Sequence, residues 1–385
     1  MLMLENLSPA PSVKVKHEVR PSVEFDGSEG QAVTPGYEEE PENFDEFLVD
    51  AGLDPDGIEV IPPVRTSRWQ RWDGEWLTSY RFTFRKKKSG IDLPQLLADA
   101  DKTYKKKKQG KPQPSALVVL WSDLQVGKID VLGGTDALVA RVNQARDDLI
   151  AKIEELKPSK CVFVDLGDTI EGFDNKSSND QLYSNDLSLH DQVDLATTMA
   201  WRTIKTIAEM VPEVTYASVG SNHCQWRKNG QKIGKATDDW GVFIGRQLAR
   251  LAQESGANNV RFVEPQPNDE SLAVDVFGDK YHILGIVHGH QSARPDQIAS
   301  WFRGQAFGRQ PVSHATTLVH GHFHHLRVQE LGMTEEGHSR FIVGAPTLDN
   351  GSTWFRQISG ESATPGLAVF ELRSQQPFTG TVWKL

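Results

Sequence analysis

The feature that most constrains the fold of this chain is a series of five short polar clusters, each of which follows an apolar run. They occupy the last two-thirds of the 385 residues and read Asp123-Leu124-Gln125, Gly167-Asp168, Asn222-His223, His288-Gly289-His290 and Gly321-His322-Phe323-His324. Carboxylate, amide and neutral imidazole groups bind divalent ions, and strands that end abruptly present such side chains at a sheet edge. One cluster alone means little, whereas five in series predict a metal centre with enough ligands for two ions.

The part of the chain that carries these clusters alternates between strand-like and helix-like segments. The strand-like apolar runs cover about 116–121, 161–166, 214–219, 281–287 and 315–319. Helical patterning covers about 136–156, 190–210 and 236–254. Beyond residue 326 the pattern is mainly that of strands, so we expect an α/β core that becomes rich in β-structure toward its C-terminal end.

The first third of the chain divides into an acidic and a basic segment. Residues 1–61 carry 15 acidic and 3 basic side chains, whereas residues 62–111 carry 14 basic and 5 acidic ones. Residues 1–43 are rich in Pro, Glu, Gly and Ser, which predicts a disordered acidic tail. Residues 44–112 predict a small α+β appendage, basic and aromatic, that ends in a linker. The main domain would then comprise residues 113–385.

An aromatic run in the basic segment has two interpretations. Trp69, Trp72 and Trp76 surround Asp73-Gly74, a dipeptide that favours a β-hairpin turn. In one interpretation, Trp72 stacks on unpaired bases of a nucleic acid while Arg71 contacts phosphates. In the other, the aromatic rings form the core of a small β unit. We favour the second, because aromatic rings bury large areas.

Cysteine content and hydropathy indicate the cellular compartment in which the protein resides. Cys161 and Cys224 are the only cysteines, which excludes a disulfide framework and predicts a reducing cytoplasm. No run of ~18 apolar residues occurs, so we expect no membrane span. The N-terminal residues lack a basic region followed by an apolar stretch, so we expect no signal peptide.

The five clusters together resemble the motifs of the calcineurin-like metallophosphoesterase superfamily. The pattern of that superfamily is Asp-x-His, Gly-Asp, Gly-Asn-His, a His at the end of a strand, and Gly-His-x-His. The resemblance covers roughly residues 115–330 and is strongest to SbcD-type repair exonucleases and related bacteriophage proteins. It implies a four-layer αββα sandwich for the main domain. It also implies a two-metal phosphodiesterase, most of all a DNA exonuclease or endonuclease.

Carried over to this chain, the resemblance assigns seven ligands to two ions. One ion would be held by Asp123, Gln125 and His324, the other by Asn222, His288 and His322, and the carboxylate of Asp168 would bridge them. Mn²⁺ is expected first, with Mg²⁺, Zn²⁺ or iron as alternatives. His223 would stabilise or protonate the leaving oxygen, and Asp168 would be the second catalytic residue.

Two departures from the superfamily pattern bear on activity. Gln125 replaces a histidine, and an amide oxygen binds transition metals less strongly than imidazole does, so we expect the first ion to be held loosely. Cys224 follows His223 where an acidic residue is common, so the usual orienting partner of His223 is absent from that position. His290 and Trp354 are expected near the substrate and outside the ligand set.

Two other functions remain open at this stage. A phosphomonoesterase or small-nucleotide phosphodiesterase would have the same centre, would cleave p-nitrophenyl phosphate or a cyclic nucleotide, and would leave linear DNA intact. A non-catalytic scaffold that binds nucleic acid through a degenerate metal site would account for Gln125 and Cys224. The partners we expect are nucleic acid, most of all DNA, and no membrane; a homodimer is the assembly we consider.

Overall fold

The structure is a computed structural model of the full chain. It describes residues 20–27, 29–86, 104–105, 111–173, 185–228, 230–334, 337–353, 356–357, 360 and 362–385. The chain divides into two compact units, Met1–Gly90 and Ile91–Leu385. Among the described residues, each helix is either too short or too polar to cross a membrane.

The first unit is built on a four-stranded antiparallel sheet. Its strands are β1 (Ser22–Phe25), β2 (Glu29–Val33), β3 (Ile58–Gln70) and β4 (Trp76–Lys86), in the order β1-β2-β4-β3. Helix α1 (Asp45–Asp50) adds Leu48 to a core that contains Ala32, Ile58, Tyr80, Phe82 and Phe84. The disorder predicted for residues 1–43 is therefore wrong for β1 and β2. Their composition is polar because they form one side of the sheet and bury little besides Ala32.

The predicted hairpin is present between β3 and β4. The backbone N–H of Arg71 donates to the carbonyl of Glu75 over 2.7 Å, and Gly74 takes a φ of +93° that a side chain would disfavour. The preference for a core role of the tryptophans is wrong for Trp72, whose side chain is 93% exposed at the tip of the loop. Arg71 is paired with Asp73 in the same loop.

The second unit contains a six-stranded sheet. Its strands are β5 (Gln113–Trp121), β6 (Pro158–Asp165), β7 (Glu213–Ser218), β10 (Val260–Val263), β16 (Ala368–Arg373) and β17 (Trp383–Lys384). The order is β10-β7-β6-β5-β16-β17. The first four strands in that order are mutually parallel, and β16 runs antiparallel to β5.

A five-stranded sheet forms the other half of the second unit. Its strands are β11 (Ser271–Asp275), β12 (Ile283–Val287), β13 (Thr317–His320), β14 (Arg327–Met333) and β15 (Ser339–Gly344). The order is β11-β12-β13-β15-β14, with β12, β13 and β15 parallel and the two outer strands antiparallel to their neighbours. A short hairpin, β8 (Arg227–Lys228) with β9 (Gln231–Lys232), lies outside both sheets.

In the described part of the second unit, these sheets are accompanied by the helices α2 (Thr135–Leu156), α3 (Leu189–Met210), α4 (Trp240–Ser255) and α5 (Ile298–Phe307). Alternate residues of β5 point to opposite sides, as the period of a strand requires. Val119 packs in a core with side chains of α2, α3 and α4. Its neighbour Val118 packs in a second core with Leu284 and Val319 of the five-stranded sheet. A third core joins Leu318 to α5 through Phe302. The α/β class predicted from the sequence is confirmed.

The predicted domain boundary near residue 112 is wrong. The Tyr104 hydroxyl donates to the backbone carbonyl of Ala208 over 3.0 Å and lies 3.1 Å from Oδ1 of Asn259. Its ring packs against the core shared by α2, α3 and α4. Residue 104 therefore belongs to the second unit, which begins at Ile91.

Candidate metal centre

The predicted polar clusters all lie in loops that follow the carboxyl ends of parallel strands. Asp123 follows β5, Asp168 follows β6 and Asn222 follows β7. His288 directly follows β12, and His322 follows β13 of the other sheet. The structure brings these loops together, as parallel strands with a common direction favour.

Five of the predicted residues have a left-handed backbone conformation. Asp123, Gln125, Asp168, His322 and His324 have φ between 45° and 70°. For residues with a side chain this conformation costs roughly 1–2 kcal/mol each. Such strain persists where the surrounding structure imposes it, and it concentrates at functional sites. The loops are therefore shaped by the site rather than by local preference.

One set of side chains converges closely. Among the described residues, Asp168, His288 and His322 are the one set of three acidic, His or Cys groups whose ligand atoms all lie within 4.8 Å of one another. Asn222 joins them, because its Oδ1 lies 2.9 Å from Nε2 of His288. We call Asp168, Asn222, His288 and His322 the Asp168 set. It contains all three ligands predicted for the second ion and the predicted bridging carboxylate.

The chemistry of the Asp168 set fits a divalent cation. Nδ1 of His288 lies 2.7 Å from the backbone carbonyl of Leu166, which can only accept, so Nδ1 carries the proton. Its Nε2 then faces Oδ2 of Asp168 at 3.1 Å and Oδ1 of Asn222 at 2.9 Å. A divalent cation would displace the proton that Nε2 otherwise shares with these two oxygens, and all three atoms would then face the cation. A hydrogen bond from the second ring nitrogen to a carbonyl is also the usual support of a metal-binding histidine.

Burial and neighbouring charges together set the pKa values of the side chains in the Asp168 set. Burial alone would raise the pKa of Asp168, but the positive charges of His288 and His223 outweigh it and lower this pKa well below its usual value. Burial likewise opposes protonation of His288, yet Asp168 raises the pKa of His288 to about 9. Burial and the neighbouring His288 lower the pKa of His322 to about 3, so that imidazole is neutral and able to bind a cation.

His223 lies beside the Asp168 set and is oriented by a carboxylate that the sequence analysis did not identify. Its backbone N–H donates to Oδ1 of Asp168 over 2.8 Å. Its Nδ1 lies 3.3 Å from Oε2 of Glu171, which follows β6 in the same loop as Asp168. Cys224, which replaces the expected acidic residue, is fully buried and faces the carbonyl of Ile170. Glu171 therefore supplies the partner that position 224 lacks.

The charges around His223 favour its protonated form. Burial alone would lower the pKa of His223, but the carboxylates of Asp168 and Glu171 raise it to about 9. Nδ1 is held by Glu171, so Nε2 is the atom that exchanges a proton. Nε2 lies 3.2 Å from the amide nitrogen of Gln125, which can donate to it when the imidazole is neutral.

A buried network supports the Asn222 loop. The N–H of Asp168 donates to Oγ of Ser221 over 2.8 Å, and the N–H of Ser221 donates to Oδ2 of Asp239 over 2.9 Å. Oδ1 of Asp239 accepts from the N–H of Gly241 over 2.8 Å and so caps the start of α4. Ser221, which lies between Gly220 and Asn222, therefore connects the loop of Asp168 to a helix.

The residues predicted for the first ion are arranged differently. Oδ1 of Asp123 lies 3.3 Å from Nε2 of His324, so these two predicted ligands do meet. Gln125 does not join them, because its Oε1 accepts from Nζ of Lys128 over 2.6 Å while its amide nitrogen faces His223. Both ends of the Gln125 side chain are thus engaged. Gln125 does not fit the ligand role predicted for it.

The residues expected near the substrate have separate positions. The ring of His290 lies 5.4 Å from that of His288, and its Nε2 lies 3.7 Å from Oε2 of Glu270. His290 is outside the Asp168 set, and its place near the substrate stays a prediction. Arg71 and Trp72 belong to the first unit, and Trp354 lies outside the described residues.

Three residues that the sequence analysis missed therefore contact predicted site residues: Glu171 contacts His223, Lys128 contacts Gln125, and Asp349 contacts His324. Asp349 lies 3.6 Å from Nδ1 of His324, from a loop that follows β15. The sequence did contain a signal for Asp349, since this residue follows a strand-like run as the predicted ligands do.

Neither a scan against protein-family models nor a search of curated proteins finds a match to this chain.

Proposed function

We propose that this protein is a divalent-metal-dependent phosphodiesterase that acts on nucleic acid, most of all as a DNA exonuclease or endonuclease. The observation that carries the proposal is the convergence of Asp168, Asn222, His288 and His322, with His223 beside them. We also propose that the two sheets and their helices form the four-layer sandwich of the calcineurin-like metallophosphoesterases. The buried, free thiols of Cys161 and Cys224 support a cytoplasmic location.

In the proposed reaction the side chains of this chain bind the ion, orient the acid and transfer a proton to the substrate. A divalent ion held by the Asp168 set, Mn²⁺ first, with Mg²⁺, Zn²⁺ or iron as alternatives, would supply Lewis-acid polarisation of a phosphoryl oxygen. Glu171 holds Nδ1 of His223, so the imidazole delivers a proton from Nε2 to the leaving oxygen. The N–H of His223 and the Oδ1 of Asp168 fix the position of this acid relative to the ligands.

Two features support nucleic acid as the substrate class. The segment 62–111 carries a large excess of basic side chains, and such charge favours a polyanion through release of counterions. Trp226 follows His223 by three residues, is half exposed, and stacks on Trp240 with ring centroids 5.4 Å apart. A half-exposed indole three residues from His223 in the sequence suits stacking on an unpaired base.

The test is a panel of metals and substrates with the purified full chain. Mn²⁺, Mg²⁺ and Zn²⁺ are compared on linear DNA, RNA, p-nitrophenyl phosphate and a cyclic nucleotide. We expect hydrolysis of DNA, fastest with Mn²⁺. Hydrolysis of the small esters alone would instead establish the small-substrate enzyme. The protein would be a scaffold if the unaltered chain hydrolysed none of these substrates and the Asp168→Ala variant bound DNA as well as the unaltered chain does.

Glu171→Gln is expected to lower the pKa of His223, because it removes a carboxylate 3.3 Å from Nδ1. The carboxylates raise the pKa of His223 above its usual value and so favour its protonated form, and hydrolysis of a poor leaving group should fall as the pH rises through that pKa. The variant should move this alkaline fall to lower pH by about 1 unit. The measurement is kcat/KM against pH. Glu155→Gln, at an exposed position of α2, is the control, and an unmoved profile would contradict the role of Glu171.

A further inference from the structure

The buried ammonium of Lys128 contacts the residues around the predicted first-ion site. Its Nζ donates to Oε1 of Gln125 over 2.6 Å and to Oδ2 of Asp349 over 2.7 Å. Oδ2 of Asp349 also lies 3.6 Å from Nδ1 of His324, whose Nε2 meets Asp123. A cation of the chain itself is therefore in contact with this group of side chains.

Lys128 is held at both its backbone and its side chain. Its carbonyl accepts from Nδ2 of Asn350 over 2.6 Å, and its N–H donates to the carbonyl of Gln125 over 3.0 Å. The residue is only 8% exposed, and Asp349 is fully buried. If the ammonium left, the buried Asp349 carboxylate would lose its nearest cationic partner, which is strongly unfavourable. Lys128 is thus a fixed part of the centre.

The contacts of Lys128 make the two predicted ion sites chemically different. The Asp168 set has converging ligand atoms and no side-chain ammonium among its described contacts. The predicted first site has lost an oxygen ligand, because Lys128 holds the Gln125 carbonyl. A fixed positive charge also repels a divalent ion brought close to it. The resemblance to a two-metal centre and the side chains present therefore disagree at this position.

We propose that the centre binds a single divalent ion tightly, through the Asp168 set, and that the ammonium of Lys128 replaces the second ion electrostatically. The inference rests on the proposed function, because it concerns the ion content of the same centre. It departs from the expectation of two ions, which was drawn from the resemblance. The Lys128 ammonium compensates the carboxylate of Asp349 in the way that an ion would.

The test counts ions rather than turnover. The full chain is dialysed to equilibrium against Mn²⁺, and bound manganese is measured by mass spectrometry and by electron paramagnetic resonance. We expect one Mn²⁺ per chain, with the resolved hyperfine signal of an isolated ion. Lys128→Met is expected to bind two, with the broadened signal of a coupled pair. Lys160→Met is the control, since Lys160 is an outer lysine paired with Glu213, and it should still bind one.

The possible ion counts distinguish a failure of the single-ion proposal from a failure of the proposed phosphodiesterase function. Two tightly bound ions in the unaltered chain would overturn the inference and leave the proposed phosphodiesterase intact. One ion in Lys128→Met would overturn the role given to Lys128. No bound ion in the unaltered chain would overturn both proposals. Because Lys128→Met removes the ammonium beside Asp349, the double variant Lys128→Met/Asp349→Asn removes both charges and is expected to bind two ions. The count on the unaltered chain decides the stoichiometry if neither variant folds.

Discussion

Replacing Asp168 by alanine is expected to abolish both divalent-ion binding and the hydrolysis of phosphodiesters. Oδ2 of Asp168 lies 3.1 Å from Nε2 of His288, and its Oδ1 accepts the N–H of His223 over 2.8 Å. The alanine variant loses the carboxylate of the converging set and the group that positions the acid. The loss of rate should exceed the roughly 100-fold that removing an outer partner of a metal ligand costs. Calorimetry with Mn²⁺ and a hydrolysis assay on DNA measure the two effects.

Two further variants make this result specific. Asp168→Asn keeps the shape and the acceptor for His223 but removes the charge, so we expect weak ion binding and little hydrolysis. Asp147→Ala removes an exposed carboxylate of α2 and should behave as the unaltered chain does. If Asp168→Ala bound Mn²⁺ with unchanged affinity, the Asp168 set would not be the metal site.

Replacing His223 by alanine is expected to slow hydrolysis of a poor leaving group by ~10²–10⁴-fold, the usual effect of losing a general acid. Ion binding should persist, because the converging ligands are Asp168, Asn222, His288 and His322. The measurement compares kcat on DNA, whose leaving group is an alkoxide, with kcat on a p-nitrophenyl ester. The loss should be much smaller on the ester, since p-nitrophenolate leaves without a proton.

The matched control for this variant is His190→Ala, because His190 is an exposed residue near the start of α3. It should retain full activity on both substrates. Full activity of His223→Ala on DNA would contradict the role of His223 as the acid. Loss of ion binding in His223→Ala would show instead that His223 supports the ligands.

The sequence predicted the main strands and helices of the second unit and the residues that gather at its centre. This was possible because buried parallel strands are continuous apolar runs that polar residues end abruptly. Asp168 and His288, for example, lie within a few residues of the ends of β6 and β12. The structure of the first unit was harder to predict from the sequence, since β1 and β2 have the composition of a disordered segment and join a sheet only through β4.

The partners of the ligands could not be predicted in the same way. Within a strand the direction of a side chain follows its position, but Gln125 and Asp168 lie in loops with positive φ, where no such period holds. The partner of His223 was expected at position 224 and comes from Glu171, in a different loop. The contact that removes Gln125 from the ligand set depends on Lys128 and on Asp349, which is far away in the sequence.

The left-handed backbone at the five residues Asp123, Gln125, Asp168, His322 and His324 has a consequence for how this protein can evolve. Glycine adopts such a conformation without steric cost, so a chain released from its chemistry would relieve backbone strain by accepting glycine at these positions. Selection for heat resistance alone would therefore erode the centre first. A lineage that keeps bulky residues there is one in which the chemistry is still under selection.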